Sequence, residues 1–417
     1  MHPGQRDGCR PGLVFLLLHF WLRSPHELLN MQHNPHFFEH PYMMPDEPLR
    51  FNEAALDAML LHASRLGASD VTIQTGCNVM MELHGDLYRI TRRELDNMEL
   101  STIVNVLAGE GSSALIKQGM AMDPSYEIRP KRDERYRFRV NATACYAGLE
   151  DGIQITIRVI ASEPPLLSIM DVEAALLAAC RPENGMVVIS GQTGSGKSTL
   201  MSAVLRDIAE DPSQCKKIVT YEAPIEYVYD TIVSRSSICQ TELPRHIKGG
   251  FDEAVPNVLR RATDIVLVGE SRNTETIRSA ISASDSGQAV YTTFHAGTVT
   301  ETVYRMINMF PQEERAAKMF ELIEALRLIV NQRLVKRPDG KRTALREFLV
   351  FDYETRRQLR QCETVRTMAG KLGELIQARG QSYQMAARRA FAKGLIDARV
   401  AESYEHTGQL FAAIEKE

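Results

Sequence analysis

The sequence is poor in cysteine and has no marked excess of charge of either sign. Its seven cysteines are an odd number, are scattered from Cys9 to Cys362, and include no C-x-x-C pair. This pattern argues against a disulfide framework or a zinc ribbon and favours a reducing compartment. The net charge of −4 lacks the basic surplus typical of a general nucleic-acid-binding protein. With 44% apolar and 24% charged residues, the 417-residue chain has the composition of a globular protein of two or three domains.

The N-terminal region lacks an apolar run long enough to cross a bilayer. "LVFLLLHFWL", residues 13–22, follows Arg6 and Arg10 and imitates the apolar part of a signal peptide. It is shorter than the roughly 20 residues that a spanning helix needs, and no small-x-small cleavage site follows it. A second methionine, Met31, opens a polar segment rich in His and Pro. We therefore expect residues 1–50 to be a disordered or membrane-touching leader, or to reflect a start site assigned too early.

Residues 187–204, "VVISGQTGSGKSTLMSAV", contain the most specific motif. An apolar strand pattern leads into G-x-x-x-x-G-K-S and then into a helical pattern, which is the context that gives this motif its meaning. The glycines of such a loop let backbone N–H groups surround a β-phosphate at a helix N-terminus. The lysine is expected to reach the β- and γ-phosphates, and the serine after it to bind Mg²⁺. The sequence thus predicts a site for ATP and Mg²⁺ built from Gly191, Thr193, Gly194, Ser195, Gly196, Lys197, Ser198 and Thr199.

A small mixed domain is predicted over residues 51–160. Asn52 can cap a helix that ends at Gly67, and "VMMELHGDLYRI" predicts a hairpin folded at Gly85-Asp86. "YRFRVNAT" and "IQITIRVI" alternate apolar and polar residues, as strands with one buried face do. A segment with two consecutive prolines, residues 161–170, is then expected to be a linker.

Residues 171–353 alternate predicted strands and helices, as a parallel sheet with crossover helices requires. Glu222 and Glu226 follow one predicted strand, Glu270 follows another, and His295 follows a third. Because ligands of open α/β sheets bind beyond the carboxyl ends of the strands, these side chains should meet at the edge that carries the phosphate loop. Each residue alone is weak evidence, since a strand-end carboxylate or a lone histidine is often structural. Their convergence favours an active site.

These motifs together resemble the secretion ATPase superfamily, which drives pilus retraction and type II and type IV secretion. The phosphate loop is its Walker A motif, "TYEAPIEY" is similar to its acidic box, "DIVLVGE" to its Walker B motif, and "SGQAVYTTFHA" to its His box. "GASDVTIQTG" and "RFRVN" match its N-terminal domain, and "FPQEERAAKMFELIEALRLIVNQRLVKR" resembles the helical segment after the His box. The resemblance covers about residues 51–350. Within the superfamily, the chain most resembles the retraction-motor-like ATPases of type IVB (Dot/Icm) secretion and of plasmid conjugation. The absence of a four-cysteine zinc insert argues against the type II secretion and pilus-extension branches.

The resemblance implies an architecture and an assembly. The expected fold is α/β: a RecA-like P-loop ATPase core with a parallel sheet, preceded by a smaller α+β, PAS-like domain and followed by a helical region over 354–417. Family members are homohexamers in which the N-terminal domain of one subunit packs on its neighbour's ATPase domain. Motion across the linker then drives secretion-channel proteins of the inner membrane. The enzyme is expected in the cytoplasm, peripheral to that membrane, with no stable nucleic-acid partner.

The resemblance also implies roles for individual residues. Glu222 would polarise the attacking water and Glu270 would lie near Mg²⁺ with Ser198, although the two glutamates could exchange roles. His295 would sense the γ-phosphate. Apart from the resemblance, the negative charge that develops on the γ-phosphate requires cations beyond Lys197. The candidates are three arginines on strand faces of the N-terminal domain, Arg139, Arg158 and Arg137, and for the last of these a solvated strand face is an equal alternative.

The chain departs from the family pattern at three positions. Ala223 stands where an acidic residue is usual, Gln288 replaces the first histidine of the His box, and Thr72 stands where a histidine is common. The first two changes are expected to slow turnover or to alter how the closed state couples to the nucleotide. None removes a residue that the chemistry requires.

Three functions remain open from the sequence. The leading prediction is a mechanical ATPase of a type IV secretion or conjugation system, and the second is a pilus retraction motor. The third is a nucleic-acid translocase, which the mild acidity of the chain disfavours. The helical tail carries a basic face in "MAARRAFAKGLIDARV", which we expect to pack on the protein and to meet a partner.

Overall fold

The structure, a computed structural model, describes residues 42–148 and 150–405. It divides the chain into two units, Met1–Ile160 and Ala161–Glu417. The apolar run at 13–22 and Met31 lie outside the described residues, as does the end of the tail, residues 406–417.

The first unit is built on a six-stranded sheet. Its strands are β1 Asp70–Gln74, β2 Met80–Leu83, β3 Asp86–Arg89, β4 Ser125–Lys131, β5 Glu134–Ala147 and β6 Glu150–Ile160, and its helices are α1 Glu53–Leu66, α2 Asn97–Ala108 and α3 Ser112–Lys117. The strands follow the order β3-β2-β1-β6-β5-β4, and each neighbouring pair is antiparallel. This arrangement confirms the predicted α+β fold of the N-terminal domain.

The ends of α1 confirm the capping residues predicted for it. The side chain of Asn52 accepts a hydrogen bond of 2.9 Å from the backbone N–H of Ala55, and Gly67 ends the helix at a φ of 87°. A left-handed residue at this position is most readily glycine. The face between the two caps is buried and consists of Leu56, Met59, Leu60 and Ala63.

The hairpin of β2 and β3 turns one residue earlier than predicted. Leu83 is directly paired with Asp86, so the two turn residues are His84 and Gly85 rather than Gly85 and Asp86. Both turn residues have positive φ, 56° and 94°, as the two-residue turn favoured by twisted hairpins requires.

Residues 42–50, which the sequence assigned to the leader, pack on the first unit. The ring of Tyr42 meets that of Tyr88 edge-on at 4.9 Å, and the N–H of Met44 donates to the carbonyl of Ile90 over 2.9 Å. Met44 is buried in the core of this unit. The predicted boundary at residue 51 is therefore wrong for these residues, because their apolar side chains are part of the domain core.

The second unit contains a seven-stranded sheet. Its strands are β7 Gly185–Ser190, β8 Lys217–Glu222, β9 Ser237–Glu242, β10 Ile265–Val268, β11 Ala289–Phe294, β12 Leu326–Lys336 and β13 Arg342–Val350. The helices are α4 Ala174–Ala179, α5 Lys197–Glu210, α6 Gly250–Asn257, α7 Thr274–Asp285, α8 Val299–Asn308, α9 Arg315–Ala325, α10 Tyr353–Leu359, α11 Val365–Arg379 and α12 Tyr383–Ala392.

The sheet of the second unit is parallel except at one edge. The strands follow the order β13-β12-β7-β11-β10-β8-β9, and only the pair β12 and β13 is antiparallel. Along β7, Met186 and Val188 belong to one apolar cluster, whereas Val187 and Ile189 belong to another. Helices therefore cover both faces of the sheet, as expected for parallel strands, and the predicted RecA-like α/β core is confirmed.

The segment after the His box is only partly helical. Its first part forms α9, but Leu326–Lys336 forms β12, which lies beside the phosphate-loop strand β7. The β-branched run Ile329-Val330 and the alternation that follows it favour an extended backbone.

The C-terminal helices are part of the second unit rather than an appendage. Met368, Leu372 and Leu375 of α11 are buried in the main apolar cluster. Ala386 and Ala387 of α12 pack with Leu345 of β13 in a smaller one. The helical character predicted for the tail is confirmed for the described residues, which end at residue 405.

The predicted linker is hydrogen-bonded to the second unit. The carbonyl of Ser162 accepts from the N–H of Val228 over 3.0 Å, and the carbonyl of Pro164 accepts from Arg206 Nη1 over 2.5 Å. Within residues 42–148 and 150–405, no helix combines the length and the apolar character needed to cross a membrane.

Candidate nucleotide site

The phosphate loop joins β7, which ends at Ser190, to α5, which begins at Lys197. Gly194 and Gly196 have φ of 75° and 83°, a region that other residues rarely adopt. Gly196 caps α5 without a side-chain hydrogen bond, so the first N–H groups of the helix remain available to an anion.

Lys197 is held inside this loop. Its Nζ donates to the carbonyl oxygens of Gly191 and Gln192 over 3.0 and 2.9 Å, and the residue is 9% exposed. Burial lowers the pKa of the ammonium, while the nearby carboxylates of Glu270 and Glu226 act in the opposite direction. The cation thus lies beside the helix N-terminus, where a phosphate group would meet both.

The loop fits a phosphate in a second respect. Ser195 Oγ is buried and has no hydrogen-bond partner among the described residues. A side chain at Gly191 would collide with this hydroxyl, because its Cβ would lie 2.5 Å from Ser195 Oγ. Glycine at position 191 therefore leaves the space that the buried Ser195 hydroxyl occupies. Such close packing of polar groups around glycines is typical of nucleotide phosphate loops.

Glu270 and His295 meet at the carboxyl edge of the sheet. Glu270 Oε1 lies 3.2 Å from His295 Nε2, and its other oxygen lies 2.6 Å from Arg272 Nη2. Burial lowers the pKa of His295, and the positive charge of Lys197 adds to this effect. The imidazole is therefore uncharged at neutral pH and can donate one hydrogen bond to the carboxylate.

Glu222 occupies the end of β8 in a different environment. Its Oε1 accepts hydrogen bonds from Thr220 Oγ1 over 2.6 Å and from Gln240 Nε2 over 3.2 Å. Burial raises the pKa of Glu222 to about 7 despite these two donors, and the charge of Glu226 adds to the shift. A carboxyl group with this pKa can accept and release a proton near neutral pH.

Three further residues belong to this site but were not predicted. Tyr227 OH lies 3.0 Å from Thr199 Oγ1, and Gln240 connects the carbonyl of Tyr227 to Glu222. Glu242 is buried at the end of β9, directly beside Glu222 in the parallel register. The alternation of "SICQTE" was the available signal, because it predicts one more strand with an acidic residue at its carboxyl end.

The residues predicted for Mg²⁺ fit such an ion. Ser198, in the first turn of α5, and Glu270 offer oxygen ligands at the same edge. Among the described residues, no three His, Cys, Asp or Glu side chains form a metal cluster of their own. Mg²⁺ at phosphate sites characteristically takes one or two protein oxygens and completes its shell with phosphate and water.

The three arginines predicted to reach the nucleotide lie in the first unit. Arg139 and Arg158 are directly opposite each other on β5 and β6, and Asp70 on β1 continues the same row. Arg158 Nε lies 2.8 Å from Asp70 Oδ1, yet its side chain is 63% exposed. The row therefore combines two guanidinium groups with one carboxylate, and Asp70 compensates the charge of Arg158.

Arg137 differs from the other two arginines. Its side chain is only 4% exposed and its Nε lies 3.5 Å from Glu127 Oε2. The predicted solvated-face alternative is therefore wrong, because the guanidinium is buried and compensated by the neighbouring strand.

The departures from the family pattern lie in different parts of the molecule. Ala223 precedes Pro224 directly after Glu222, at the carboxyl edge. Gln288, by contrast, precedes β11 and lies at the amino edge of the sheet, opposite the edge that carries His295. Thr72 is on β1 of the first unit, where it pairs with Thr156.

The parallel sheet, the glycine-rich loop at a helix N-terminus and the buried Lys197 define a RecA-like P-loop ATPase, an enzyme that hydrolyses ATP. The chain belongs to the type II/IV secretion system protein family, whose model matches residues 47–397.

Individual relatives include proteins of pili and of secretion. The type IV pilus retraction ATPase PilT of Pseudomonas aeruginosa is 29% identical over 81% of this chain and 94% of that protein. A twitching motility protein of Neisseria gonorrhoeae is 32% identical over 68% of this chain and 73% of its own length. The crystal structure of the Legionella pneumophila ATPase DotB matches 86% of this chain and 97% of that chain, with 42% identity and a TM-score of 0.74.

Proposed function

We propose that the protein is the hexameric ATPase of a type IVB-like secretion or conjugation machine. The single observation that carries this proposal is its likeness to the ATPase DotB, at 42% identity over 86% of the chain. The enzyme would act at the cytoplasmic face of the inner membrane, bound peripherally to secretion-channel proteins. Substrate would be ATP with Mg²⁺.

Lys197 would bind the β- and γ-phosphates after leaving the two carbonyl oxygens that hold it. The carbonyl oxygens of Gly191 and Gln192 belong to the loop that would surround the phosphates. Phosphate binding would therefore require only that the Nζ of Lys197 moves away from these oxygens. Gly194, Gly196 and the first turn of α5 would supply backbone N–H groups, and Thr193, Ser195 and Thr199 complete the loop. Ser198 and Glu270 would hold Mg²⁺, which neutralises charge on the phosphates.

Glu222 would be the general base that accepts a proton from the attacking water. Its pKa of about 7 supports this role, because a base is most effective when its pKa lies near the working pH. Glu270 is less suited to it, since its two oxygens are engaged by His295 and Arg272. We therefore assign Glu222 to the water and Glu270 to the metal.

His295 would report the γ-phosphate to the rest of the chain. As an uncharged imidazole beside Glu270, it can exchange a hydrogen bond to the carboxylate for one to a phosphate oxygen. It would be the first residue after β11 to move, and α8 begins only four residues later, at Val299.

Arg139 and Arg158 would complete the site across a subunit boundary of the proposed hexamer. Their shared sheet face presents two guanidinium groups, and a developing negative charge on the γ-oxygens needs cations beyond Lys197. Arg137, which is buried beside Glu127, would stabilise the sheet that carries these two arginines. Rotation of one unit against the other about the 161–170 segment would convert turnover into motion.

A pilus retraction motor is the second candidate function. The 29% identity to PilT over 94% of that protein favours it. The chemistry would be the same and only the load would differ, so the two functions are distinguished by their effects in the cell.

The proposal is tested in the organism that carries the gene. The gene is deleted and complemented with wild type, with Lys197→Ala and with Lys341→Ala, a matched change of an exposed lysine in the β12–β13 turn. We expect Lys197→Ala, but not Lys341→Ala, to lose secretion or conjugative transfer while pilus-dependent movement is unchanged. Loss of twitching with intact secretion and transfer would instead establish the retraction motor.

A further inference from the structure

The phosphate loop rests directly on one residue of the neighbouring strand β12. Gln332 is 2% exposed, and its Nε2 donates a 2.7 Å hydrogen bond to the carbonyl of Ser195 in the loop. A Cβ at Gly196 would lie 2.9 Å from this Nε2, and a Cβ at Gly191 would lie 2.5 Å from the carbonyl oxygen of Gln332. The two glycines thus admit the close approach of Gln332 to the loop.

The orientation of the Gln332 amide is fixed from the other side. Arg346 on β13 is 2% exposed, and its Nε donates to Gln332 Oε1 over 2.8 Å. A guanidinium group has only donors, so it can face only the oxygen of the amide. The NH₂ group of Gln332 is therefore turned toward the carbonyl of Ser195, which is the partner that the loop offers.

The positive charge of Arg346 is compensated next to the linker. Its Nη1 donates to the carbonyl of Asp171 over 2.7 Å and lies 3.3 Å from Glu173 Oε2. Glu173 is 8% exposed, so this ion pair is shielded from solvent. Removal of one partner of such a buried ion pair is strongly destabilising, because the other charge is left buried without compensation.

The same glutamate is bound by Gln381, which lies two residues before α12. Gln381 Nε2 donates to Glu173 Oε1 over 3.0 Å and to the carbonyl of Arg346 over 2.8 Å. Asp171 is bound by Lys393 at the other end of this helix, with Nζ 2.8 Å from either carboxylate oxygen. Both ends of α12 are therefore attached to the segment that follows the linker.

A second set of contacts joins α12 to the loop after His295. Asn331 Nδ2 donates to the carbonyl of Ala296 over 3.0 Å, and Asn331 Oδ1 accepts from Tyr383 OH, the first residue of α12. Arg333 Nη2 donates to the carbonyl of Gly297 over 2.8 Å, and its guanidinium lies 4.3 Å from the Tyr383 ring centroid. Asn331, Gln332 and Arg333, which are consecutive in β12, thus contact the phosphate loop and the loop after His295.

We propose that Gln332 and Arg346 are positioning residues of the phosphate loop and that they couple nucleotide binding to the attachment of α12. Neither residue touches the nucleotide. Gln332 holds the Ser195 carbonyl, Arg346 fixes Gln332, and Glu173 with Gln381 extends the contacts to α12 and to the start of the unit after the linker. The inference rests on the nucleotide site proposed above but not on the machine that the ATPase drives.

The decisive variant is Gln332→Glu, which preserves size and can still accept from Arg346 but cannot donate to the Ser195 carbonyl. The matched control is Gln361→Glu, the same change at an exposed glutamine of this unit. Full-length protein is titrated with ADP and Mg²⁺, and amide hydrogen exchange over Tyr383–Ala392 is followed with and without ADP. We expect Gln332→Glu to raise the Kd for ADP and the KM for ATP about tenfold while kcat falls less than about threefold. ADP should slow exchange over Tyr383–Ala392 in wild type and control but not in Gln332→Glu.

A second variant, Gln381→Leu, separates the loop from the helix. It removes the amide that joins α12 to Glu173 but leaves Gln332 and Arg346 in contact, so ADP affinity should change about twofold or less while ADP-dependent protection of α12 is lost. Should Gln332→Glu fail to fold, Gln332→Met also removes the donor to the Ser195 carbonyl without a new charge, and it removes the acceptor of Arg346 as well. Wild-type ADP affinity together with wild-type protection of α12 in the Gln332 variant would overturn the inference. Absence of ADP binding by the wild type would overturn the nucleotide site as well.

Discussion

The two edges of the parallel sheet are built from the same strands but have different chemistry. The carboxyl edge carries Lys197, Glu222, Glu270 and His295, and three helices, α5, α7 and α8, begin there. The amino edge carries a cavity of 410 Å³, lined in part by Thr263 and Gln288.

The chemical difference between the carboxyl edge and the amino edge follows from the direction of the strands. In a parallel sheet all carboxyl ends meet at one edge, where the N-termini of the following helices add partial positive charge. At the amino edge, the buried atoms Thr263 Oγ1 and Gln288 Oε1 have no hydrogen-bond partner among the described residues, but both are uncharged. A substitution should therefore affect turnover according to the edge on which it falls.

Lys197→Ala should have the largest effect, because it removes the buried cation of the carboxyl edge. Steady-state ATP hydrolysis is expected to fall below detection, while circular dichroism and the melting temperature remain close to those of the wild type. Lys341→Ala is the control, since this lysine is exposed and is not part of the phosphate loop. Persistent hydrolysis by Lys197→Ala would remove the phosphate loop from the mechanism.

Arg158→Ala extends the comparison to the first unit. If its guanidinium acts on the γ-phosphate, turnover should fall about 10³-fold, while ADP affinity and assembly into the proposed ring are retained. Arg139→Ala should have a similar but smaller effect, and Arg132→Ala, in the exposed β4–β5 turn, should have none.

Mixing Arg158→Ala with Lys197→Ala protein distinguishes two geometries. If the arginine acts on the neighbouring subunit, some boundaries in mixed rings join an intact phosphate loop to an intact arginine, and activity returns. If it acts within its own chain, every subunit is defective and the mixture stays inactive. Wild-type turnover by Arg158→Ala alone would contradict both.

Glu222→Gln should lower kcat about 10²-fold or more, because the amide cannot accept a proton from water. In the wild type, kcat should fall as pH decreases through about 7, since the base becomes protonated there. The variant should lose this pH dependence along with its activity. Glu313→Gln, on the exposed surface, is the control. A wild-type rate that is flat between pH 6 and 8 would assign the base elsewhere.

The same variant should be more stable than the wild type at high pH. The pKa of Glu222 is raised in the folded state, so the stability associated with the protonated form is present below its unfolded pKa and is lost as pH rises through about 7. Glutamine avoids this loss, which is about 3 kcal/mol at most. The melting temperature of Glu222→Gln should therefore exceed that of the wild type at pH 8, and the difference should vanish near pH 4. Equal stability at pH 8 would show that the carboxylate is well solvated.

Local patterns predicted the fold and the nucleotide edge, whereas contacts between distant segments escaped them. Asn52 and Gly67 cap α1 as expected because capping depends on a few neighbouring residues. The convergence of Glu222, Glu270 and His295 follows from strand direction alone. Gln332 could not be recognised in this way, because its partners in the phosphate loop and on β13 are brought to it only by the completed sheet.

Sequence pattern also misjudged how deep a charged residue lies. The alternation of β5 placed Arg137 on a polar face, and that face is occupied by Glu127 of the adjacent strand. Strand periodicity predicts on which face of a sheet a side chain lies, but it does not predict which neighbouring side chains cover that face. The same limit applies to Gln288, whose place in the His box suggested a role in turnover that its position on the amino edge does not support.

Gln288→His should have the smallest effect, and it tests the comparison of the two edges most directly. The change introduces the histidine usual in the family at the amino edge, one residue before β11, whereas His295 lies beyond the other end of that strand. Gln288 is 7% exposed, and its Oε1 has no hydrogen-bond partner among the described residues. The oxygen of this amide therefore contributes no hydrogen bond that an imidazole would remove. We expect kcat and the KM for ATP within about twofold of the wild type, as for a site that touches neither substrate nor loop. A melting temperature measured alongside separates a packing effect from a catalytic one. If turnover instead rose tenfold with unchanged stability, the amino edge would be coupled to the nucleotide, and the functional separation of the two edges would not hold.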